Sequence, residues 1–180
     1  MTLNDELLAE LGDAGLEEVA GLLGTDTATA RIVLTTVSGT IIGGLARNAA
    51  HPEGAEALRA ALDDHVDADP FNGDVASLSR DGQSILGHVL GGQGTEQAAD
   101  GLSRLVGVDG RTIMRLLPLI APMIMSLLAG RATRGRMEAG AVADALNQES
   151  ATLPTELAEL LGAIFDGDSM DVPGQPNFDR

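Results

Sequence analysis

The stretch TIMRLLPLIAPMIMSLLAG, residues 112–130, has the apolar character of a membrane segment, yet the chain around it has a formal net charge of −16. Its continuous apolar run, residues 116–129, is interrupted only by Ser126. A helix needs about 20 apolar residues to cross the hydrocarbon core of a bilayer. This run is shorter than that and has arginines on both sides, so it predicts a buried core helix and no membrane span.

Two prolines, Pro118 and Pro122, lie inside this apolar run. A proline inside a helix removes a backbone donor and crowds the preceding turn. We therefore expect a kink or a break in the helix near these two positions.

The apolar stretch has a counterpart earlier in the chain. Residues 22–46, LLGTDTATARIVLTTVSGTIIGGLA, align without a gap with residues 105–129, LVGVDGRTIMRLLPLIAPMIMSLLA. In this alignment Gly39 lies opposite Pro122, so both copies carry a residue that weakens a helix at the same place. We interpret the similarity as an internal repeat, in which two long apolar helices pack against each other near a pseudo-twofold axis.

The composition favours a helical protein. Only 2% of the residues are aromatic, with no Trp or Tyr, so the core must be built from Leu, Ile, Val, Ala and Met. Such a core suits helix packing better than a β-sandwich or barrel. The predicted fold is therefore all-α and multihelical, with two pseudo-repeated units packed around the two long helices and a further C-terminal helix.

Glycines, prolines and charge runs divide the chain into five parts. We predict a first helical unit over residues 1–65 and an acidic linker over residues 66–82. A second helical unit follows over residues 83–149, and a C-terminal amphipathic helix over residues 150–165. The tail, residues 166–180, is predicted to be disordered because it is polar and rich in Asp, Gly and Pro.

Helix start and stop signals place individual helices within these parts. The predicted helices cover residues 3–11, 16–23, 27–48, 52–65, 84–90, 96–106, 111–131, 137–149 and 152–165.

Three motifs occur in an order that resembles a known family. They are HPEGAEALRAALDDH at 51–65, DGQSILGHVLGG at 81–92, and LVGVDGRTIMRLLPLIAPMIMSLLAG at 105–130. The chain resembles the YidB-like bacterial proteins, a family catalogued as a domain of unknown function, over most of residues 3–146. The resemblance implies a cytoplasmic, multihelical protein with homeodomain-like subdomains. It supplies no activity and no catalytic residue.

The last predicted helix carries an apolar stripe that makes it a candidate docking element. The stripe consists of Leu157, Leu160, Leu161, Ile164 and Phe165. Together with the duplicated apolar helices, it leads us to a non-enzymatic protein that acts through protein contacts or self-association, in the cytoplasm.

The alternative function is that of a nucleic-acid-binding regulator. The segments LEEVAGLLG–TDTATARIVL and AADGLSRLVG–VDGRTIMRLL have the length and turn of helix-turn-helix pairs. Arg111 and Arg115, one turn apart, are the candidate phosphate contacts. The strongly acidic net charge makes this class the less favoured one, because nucleic-acid binding depends on clustered positive charge.

A second basic cluster lies in GRATRGR, directly after the apolar stretch. Arg131, Arg134 and Arg136 either complement the C-terminus of the preceding helix or form a small site for an anion or an acidic partner. The sequence leaves both interpretations open.

The sequence contains no constellation that predicts catalysis, a metal or a cofactor. There is no Cys, and the three histidines His51, His65 and His88 lack the paired spacing of zinc ligands. The roles of these histidines stay open, as does the possibility that the proline-containing helix forms the wall of a ligand pocket.

Overall fold

The computed structural model describes residues 2–66 and 74–170, and within these residues every regular element is an α-helix. The all-α prediction is therefore confirmed. The eight helices in this part of the chain are α1 (Leu3–Leu23), α2 (Thr27–Ala49), α3 (Pro52–Asp63), α4 (Val75–Val89), α5 (Gly92–Val106), α6 (Gly110–Arg134), α7 (Ala139–Ala151) and α8 (Thr155–Met170).

The helices begin and end at residues whose chemistry explains the boundary. Gly24 ends α1 and Gly107 ends α5, both in the left-handed conformation, with φ of 69° and 70°. Gly12 interrupts α1 with φ 64° and ψ −173°, and Gly91 precedes α5 with φ 78° and ψ 167°. Positive φ strongly favours glycine. In both halves of the chain, a glycine with positive φ and extended ψ is followed by a left-handed glycine that ends a helix. The internal repeat itself stays an interpretation.

The two long helices also start alike. Asp26 is the N-cap of α2 and accepts a hydrogen bond from the Thr29 amide, 2.8 Å away. Asp109 is the N-cap of α6 and accepts from the Arg111 amide at 3.2 Å. In each case the carboxylate satisfies an amide that has no partner within the helix.

Two predicted boundaries differ from the structure. The predicted linker, residues 66–82, contains the first half of α4, which begins at Val75. Residues 67–73 of that linker lie outside the described residues. The predicted disordered tail includes residues 166–170, which form the last turn of α8, and residues 171–180 lie outside the described part. The first half of α4 is polar and contains glycine, yet it is helical because Asp74 caps it and α4 packs on α6.

The long proline-containing helix is not broken, because α6 continues through both prolines, and a kink there stays a prediction. Pro122 has no N–H, so the carbonyl of Pro118 loses its partner one turn later. Gly82 of α4 lies directly against this carbonyl. A Cβ atom at Gly82 would overlap the backbone of Pro118. The close approach of α4 covers the point where the helix is weakest.

The core is a single cluster around α2 and α6. The first predicted unit does not pack separately from the second, since α1 packs on both α2 and α6, and α7 packs on α2 and α3. The two units predicted from the sequence therefore share one core.

Both α2 and α6 are long and apolar enough to cross a membrane. In each case 67% of the most apolar window is buried inside the chain. Core helices of globular proteins also meet this criterion. Length and composition alone therefore do not distinguish a core helix from a membrane span.

Candidate functional site

The apolar stripe of α8 faces the protein and fills a groove formed by α2 and α5. Leu157, Leu161 and Ile164 are only 2%, 6% and 3% exposed, and Leu160 is partly buried in the same contact. Phe165 belongs to α8, but its side chain lies outside the described part of the chain. We call the groove between α2 and α5 the α8 groove.

Glycines on α2 form the floor of the α8 groove. A Cβ atom at Gly39 would lie 2.8 Å from Leu157 Cδ2 and 2.9 Å from Leu153 Cδ2. A Cβ atom at Gly43 would overlap the tip of Leu161. The leucines therefore occupy the space that side chains on α2 would otherwise fill, as expected where small residues allow close helix contact.

The wall of the groove is formed by α5. A Cβ atom at Gly101 would overlap the side chain of Leu160. Arg104, three residues further along α5, is exposed, and three residues is the spacing that places side chains on one helix face. On α8 the exposed residues Glu156 and Glu159 are acidic. The groove thus receives an acidic amphipathic helix on a wall that carries a basic residue.

The structure brings the predicted docking residues together, but against their own chain. The prediction of an apolar stripe depended only on helical spacing. The floor glycines Gly39 and Gly43 were also visible in the sequence, although nothing in the sequence connects them with α8. Docking to a partner stays a prediction for these residues.

The five candidate anion-binding arginines do not form one site. Arg111 and Arg115 are exposed near the N-terminus of α6, whereas Arg131 lies near its C-terminus. The 16 residues from Arg115 to Arg131 correspond to about 24 Å along a helix.

Arg131 is held in ion pairs within the chain. Its Nε donates to Glu6 Oε2 at 2.5 Å, and its Nη1 lies 3.6 Å from Glu149 Oε1. The side chain of Arg134 is more exposed than that of Arg131, and its Nη2 lies 3.8 Å from Glu6 Oε1. Arg136 is exposed and has a positive φ of 50°. Arg131 therefore has a structural role within the chain. The anions that it contacts are the carboxylates of Glu6 and Glu149.

Sequence reasoning missed both acidic residues of this cluster, Glu6 and Glu149. Glu149 is 9% exposed, and its carboxylate accepts a hydrogen bond of 2.5 Å from the backbone amide of Leu3, the first residue of α1. A carboxylate at a helix N-terminus satisfies a free amide and complements the helix dipole. Because 146 residues separate the two partners, no local signal could have identified this cap.

The carboxyl groups with clearly shifted pKa values are surface helix caps. Hydrogen bonds from the backbone amide and hydroxyl of Thr29 lower the pKa of Asp26. The amide and hydroxyl of Thr2 lower the pKa of Asp5 in the same way. These shifts are typical of capping and do not indicate an acid–base pair.

The histidines occupy two environments. His51 is the N-cap residue of α3 but makes no side-chain capping hydrogen bond. His65 and His88 line a cleft between α3 and α4, together with Met125 of α6. Among the residues that the structure describes, no three His, Asp or Glu side chains are placed to hold a metal ion.

Comparison with protein-family models gives a match over much of the chain. The model described as "Bacterial protein of unknown function (DUF937)" matches residues 5–131. This range covers more than half of the 180 residues and includes α2 to α5 in full, whereas α7 and α8 lie beyond it. Comparisons with curated proteins and with solved structures found no match. The chain belongs to the DUF937 family of bacterial proteins of unknown function.

Proposed function

We propose that this chain is a non-enzymatic protein-interaction module, and that it associates with further copies of itself by exchanging α8. The observation that carries the proposal is the fit of the α8 leucines over the glycine floor at Gly39 and Gly43. A groove that accepts α8 of its own chain offers the same contacts to α8 of a second copy. Exchange of an identical element is a low-cost route to oligomers.

The position of α8 in the chain supports this proposal. The helix lies outside the family match, whereas both helices that form its groove lie inside it. Only residues 152–154 separate α7 from α8. Pro154 stands in this connection, and a proline there opposes fusion of the two helices into one continuous helix. The connection is thus a suitable place for α8 to turn away from its own chain.

The free energy of docking sets the conditions for exchange. Burial of a leucine or isoleucine side chain contributes about 1.5–3 kcal/mol, and α8 buries Leu157, Leu161 and Ile164 almost completely. Spontaneous release of α8 should therefore be slow at room temperature. Exchange should be fastest at high protein concentration and under mildly destabilising conditions.

Disulfide trapping tests the proposal directly, because the chain has no native Cys. Two single variants, Gly101→Cys and Leu160→Cys, are mixed, incubated in mild urea and oxidised. A disulfide between the two positions in this mixture can form only when α8 of one copy occupies the groove of another. A mixture of Gly87→Cys and Leu160→Cys is the matched control, since Gly87 is exposed with open space around it.

We expect a covalent heterodimer from the first mixture and only background from the control. Light scattering on the unmodified chain at several concentrations should show a mass that rises above 18.4 kDa. Equal dimer yields in both mixtures would contradict exchange of α8. A strictly monomeric mass at every concentration would contradict self-association as a whole.

Nucleic-acid binding is the second candidate, favoured by the exposure of Arg111 and Arg115 at the start of α6. Two exposed guanidinium groups one helix turn apart are suitable phosphate contacts. The double variant Arg111→Ala/Arg115→Ala should abolish a mobility shift seen at low salt. No shift of the unmodified chain at low salt would remove this candidate.

We place the chain in the cytoplasm and α2 and α6 in a protein core without a bilayer. The burial of most of both helices by other parts of the chain supports this. Fractionation of cells that produce a tagged chain tests it, and recovery in the membrane fraction after a high-salt wash would contradict it.

A further inference from the structure

A cleft of about 530 Å³ lies between α3 and α4, with α2 and α6 beneath it. It is separate from the α8 groove and involves none of the candidate anion-binding arginines. Its volume lies within the range of small-molecule sites, roughly 300–1,000 Å³. This cleft contains two of the three histidines whose roles the sequence left open, His65 and His88.

The floor of the cleft is apolar. It is formed by the buried side chains of Leu45, Leu58, Val89 and Met125. Such a floor favours a ligand with an apolar body, since each square ångström of apolar surface that is buried contributes about 25 cal/mol.

One wall of the cleft consists of small residues. Ala57 and Ala61 are four residues apart on α3, so they lie on one face of that helix, whereas Gly54 packs against the backbone of Asn48. Elsewhere in this core leucines fill the space above small residues, but beside the two alanines the space stays open. Their side chains are too short to fill it.

The rim of the cleft carries hydrogen-bond acceptors from both sides. Asp64 and His65 follow α3, and Ser84 and His88 belong to α4. A carboxylate, two imidazoles and a hydroxyl can all accept a hydrogen bond. Among the described residues, no arginine lines the cleft, and the chain as a whole has a formal net charge of −16.

Asn48 fixes the geometry of this rim. Its Nδ2 donates to the backbone carbonyls of His88 at 3.1 Å and Val89 at 3.4 Å. The C-terminal end of α4 is thereby tied to α2. His88 is held at the rim by hydrogen bonds that do not involve its own side chain.

We propose that this cleft binds a small amphipathic cation, a protonated primary amine attached to an apolar chain or ring. The apolar body lies on the floor between α3 and α4. The ammonium group donates to the Asp64 carboxylate and the facing imidazoles. The strongly negative field of the chain attracts cations and repels anions, which selects the amine over a carboxylate of the same size.

Calorimetric titration of the full chain with hexylamine, hexanol and hexanoate tests the proposal at low salt and about pH 8. We expect hexylamine to bind about fivefold more tightly than hexanol, the factor for one partly exposed ion pair. Hexanoate should bind more weakly than hexanol.

Two substitutions separate the rim from the general charge of the protein. Asp64→Asn should reduce hexylamine affinity to that of hexanol and leave hexanol unchanged. Asp63→Asn removes the same charge one residue earlier, but Asp63 pairs with Arg59 and does not line the cleft, so its effect should be small. Ala57→Leu adds volume at an exposed position of the wall and should weaken both ligands.

Several outcomes would overturn the proposal. These are equal affinities for hexylamine and hexanol, equal effects of the two Asp→Asn variants, or unchanged binding in Ala57→Leu. Circular dichroism and the urea midpoint of each variant verify that it is folded before titration.

Discussion

The two long helices α2 and α6 align in sequence, yet neighbouring helices approach them in opposite ways. On α2 the small residues belong to the long helix, and the covering helix α8 inserts leucines over Gly39 and Gly43. On α6 the small residue belongs to the covering helix, where Gly82 of α4 lies against the backbone of Pro118. The glycine that allows close packing can therefore belong either to the central helix or to the helix that covers it. Similar sequences of two helices do not predict similar neighbours.

The difference has a mechanical consequence. The contact at Gly82 is between two backbones, which cannot adjust by changing a rotamer. The contacts at Gly39 and Gly43 involve the tips of leucine side chains, which can adjust. Substitutions should therefore have larger and more global effects at the α4–α6 contact than in the α8 groove.

The largest effect is expected from Gly82→Ala. The new Cβ would overlap Pro118 O, and overpacking of this kind typically costs 1–3 kcal/mol. Because the overlap is with rigid backbone, we expect the upper end of this range, about 3 kcal/mol. Alanine offsets up to about 1 kcal/mol of it by its helix propensity, so the net loss in the free energy of unfolding should be about 2 kcal/mol. Urea denaturation followed by far-UV circular dichroism measures it, as the chain has no Trp or Tyr.

Gly87→Ala is the control on the same helix. A Cβ at Gly87 meets nothing within 4 Å, so only the propensity gain applies and stability should rise slightly. Equal effects of the two substitutions would show that the Gly82 contact is not as close as described.

A smaller and more local effect is expected from Gly43→Ala. Its Cβ would displace the tip of Leu161, and the strain of roughly 1–2 kcal/mol is offset in part by the helix propensity of alanine. The free energy of unfolding should change by less than about 1 kcal/mol. Hydrogen exchange of the α8 amides should nevertheless become faster, because α8 is the element that must move.

Gly21→Ala serves as the reference, since its Cβ would have no neighbour within 4 Å. If hydrogen exchange in α8 is unchanged in Gly43→Ala, the contrast between the two helix contacts does not hold.

The smallest effect concerns the cap of α2 in acid. The lowered pKa of Asp26 means that its carboxylate stabilises the folded chain above its ordinary pKa of 3.8, and that this contribution is lost as pH falls through the lower, folded value. In Asp26→Asn the side chain can still cap the helix but no longer titrates. The difference in urea midpoint between the two proteins should therefore be constant above about pH 5 and change below about pH 4. A difference independent of pH down to acid unfolding would contradict the role of Asp26 as an ionised cap.

Most helices could be predicted because their signals are local. The starts of α2 and α6 follow from Asp26 and Asp109 as N-caps. The lengths of the two helices follow from the apolar residues after each cap. The start of α4 was missed because its first turns are polar, although its cap Asp74 is a local signal of the same kind. Gly82 of α4, which lies against the carbonyl of Pro118, is distant in sequence, so no local signal connects it with α6.

The candidate sites were less predictable than the fold. Helical spacing was sufficient to identify the stripe at Leu157 and Leu161, but not the surface that it covers. The cluster of Arg131 with Glu149 was seen only as a basic run, since ion-pair partners are selected by proximity in space. His65 and His88 share a cleft that no spacing in the sequence indicates.

The sequence by itself determined that this protein is helical, where most helices begin and end, and which faces are apolar, because capping, propensity and periodicity act within a few residues. Only the tertiary structure decided which glycine faces which leucine, that Glu149 caps the N-terminus of α1, and that a cleft stays open beside Ala57. These features depend on contacts between residues far apart in the chain. Their free energies come from packing and desolvation in three dimensions, which local sequence does not encode.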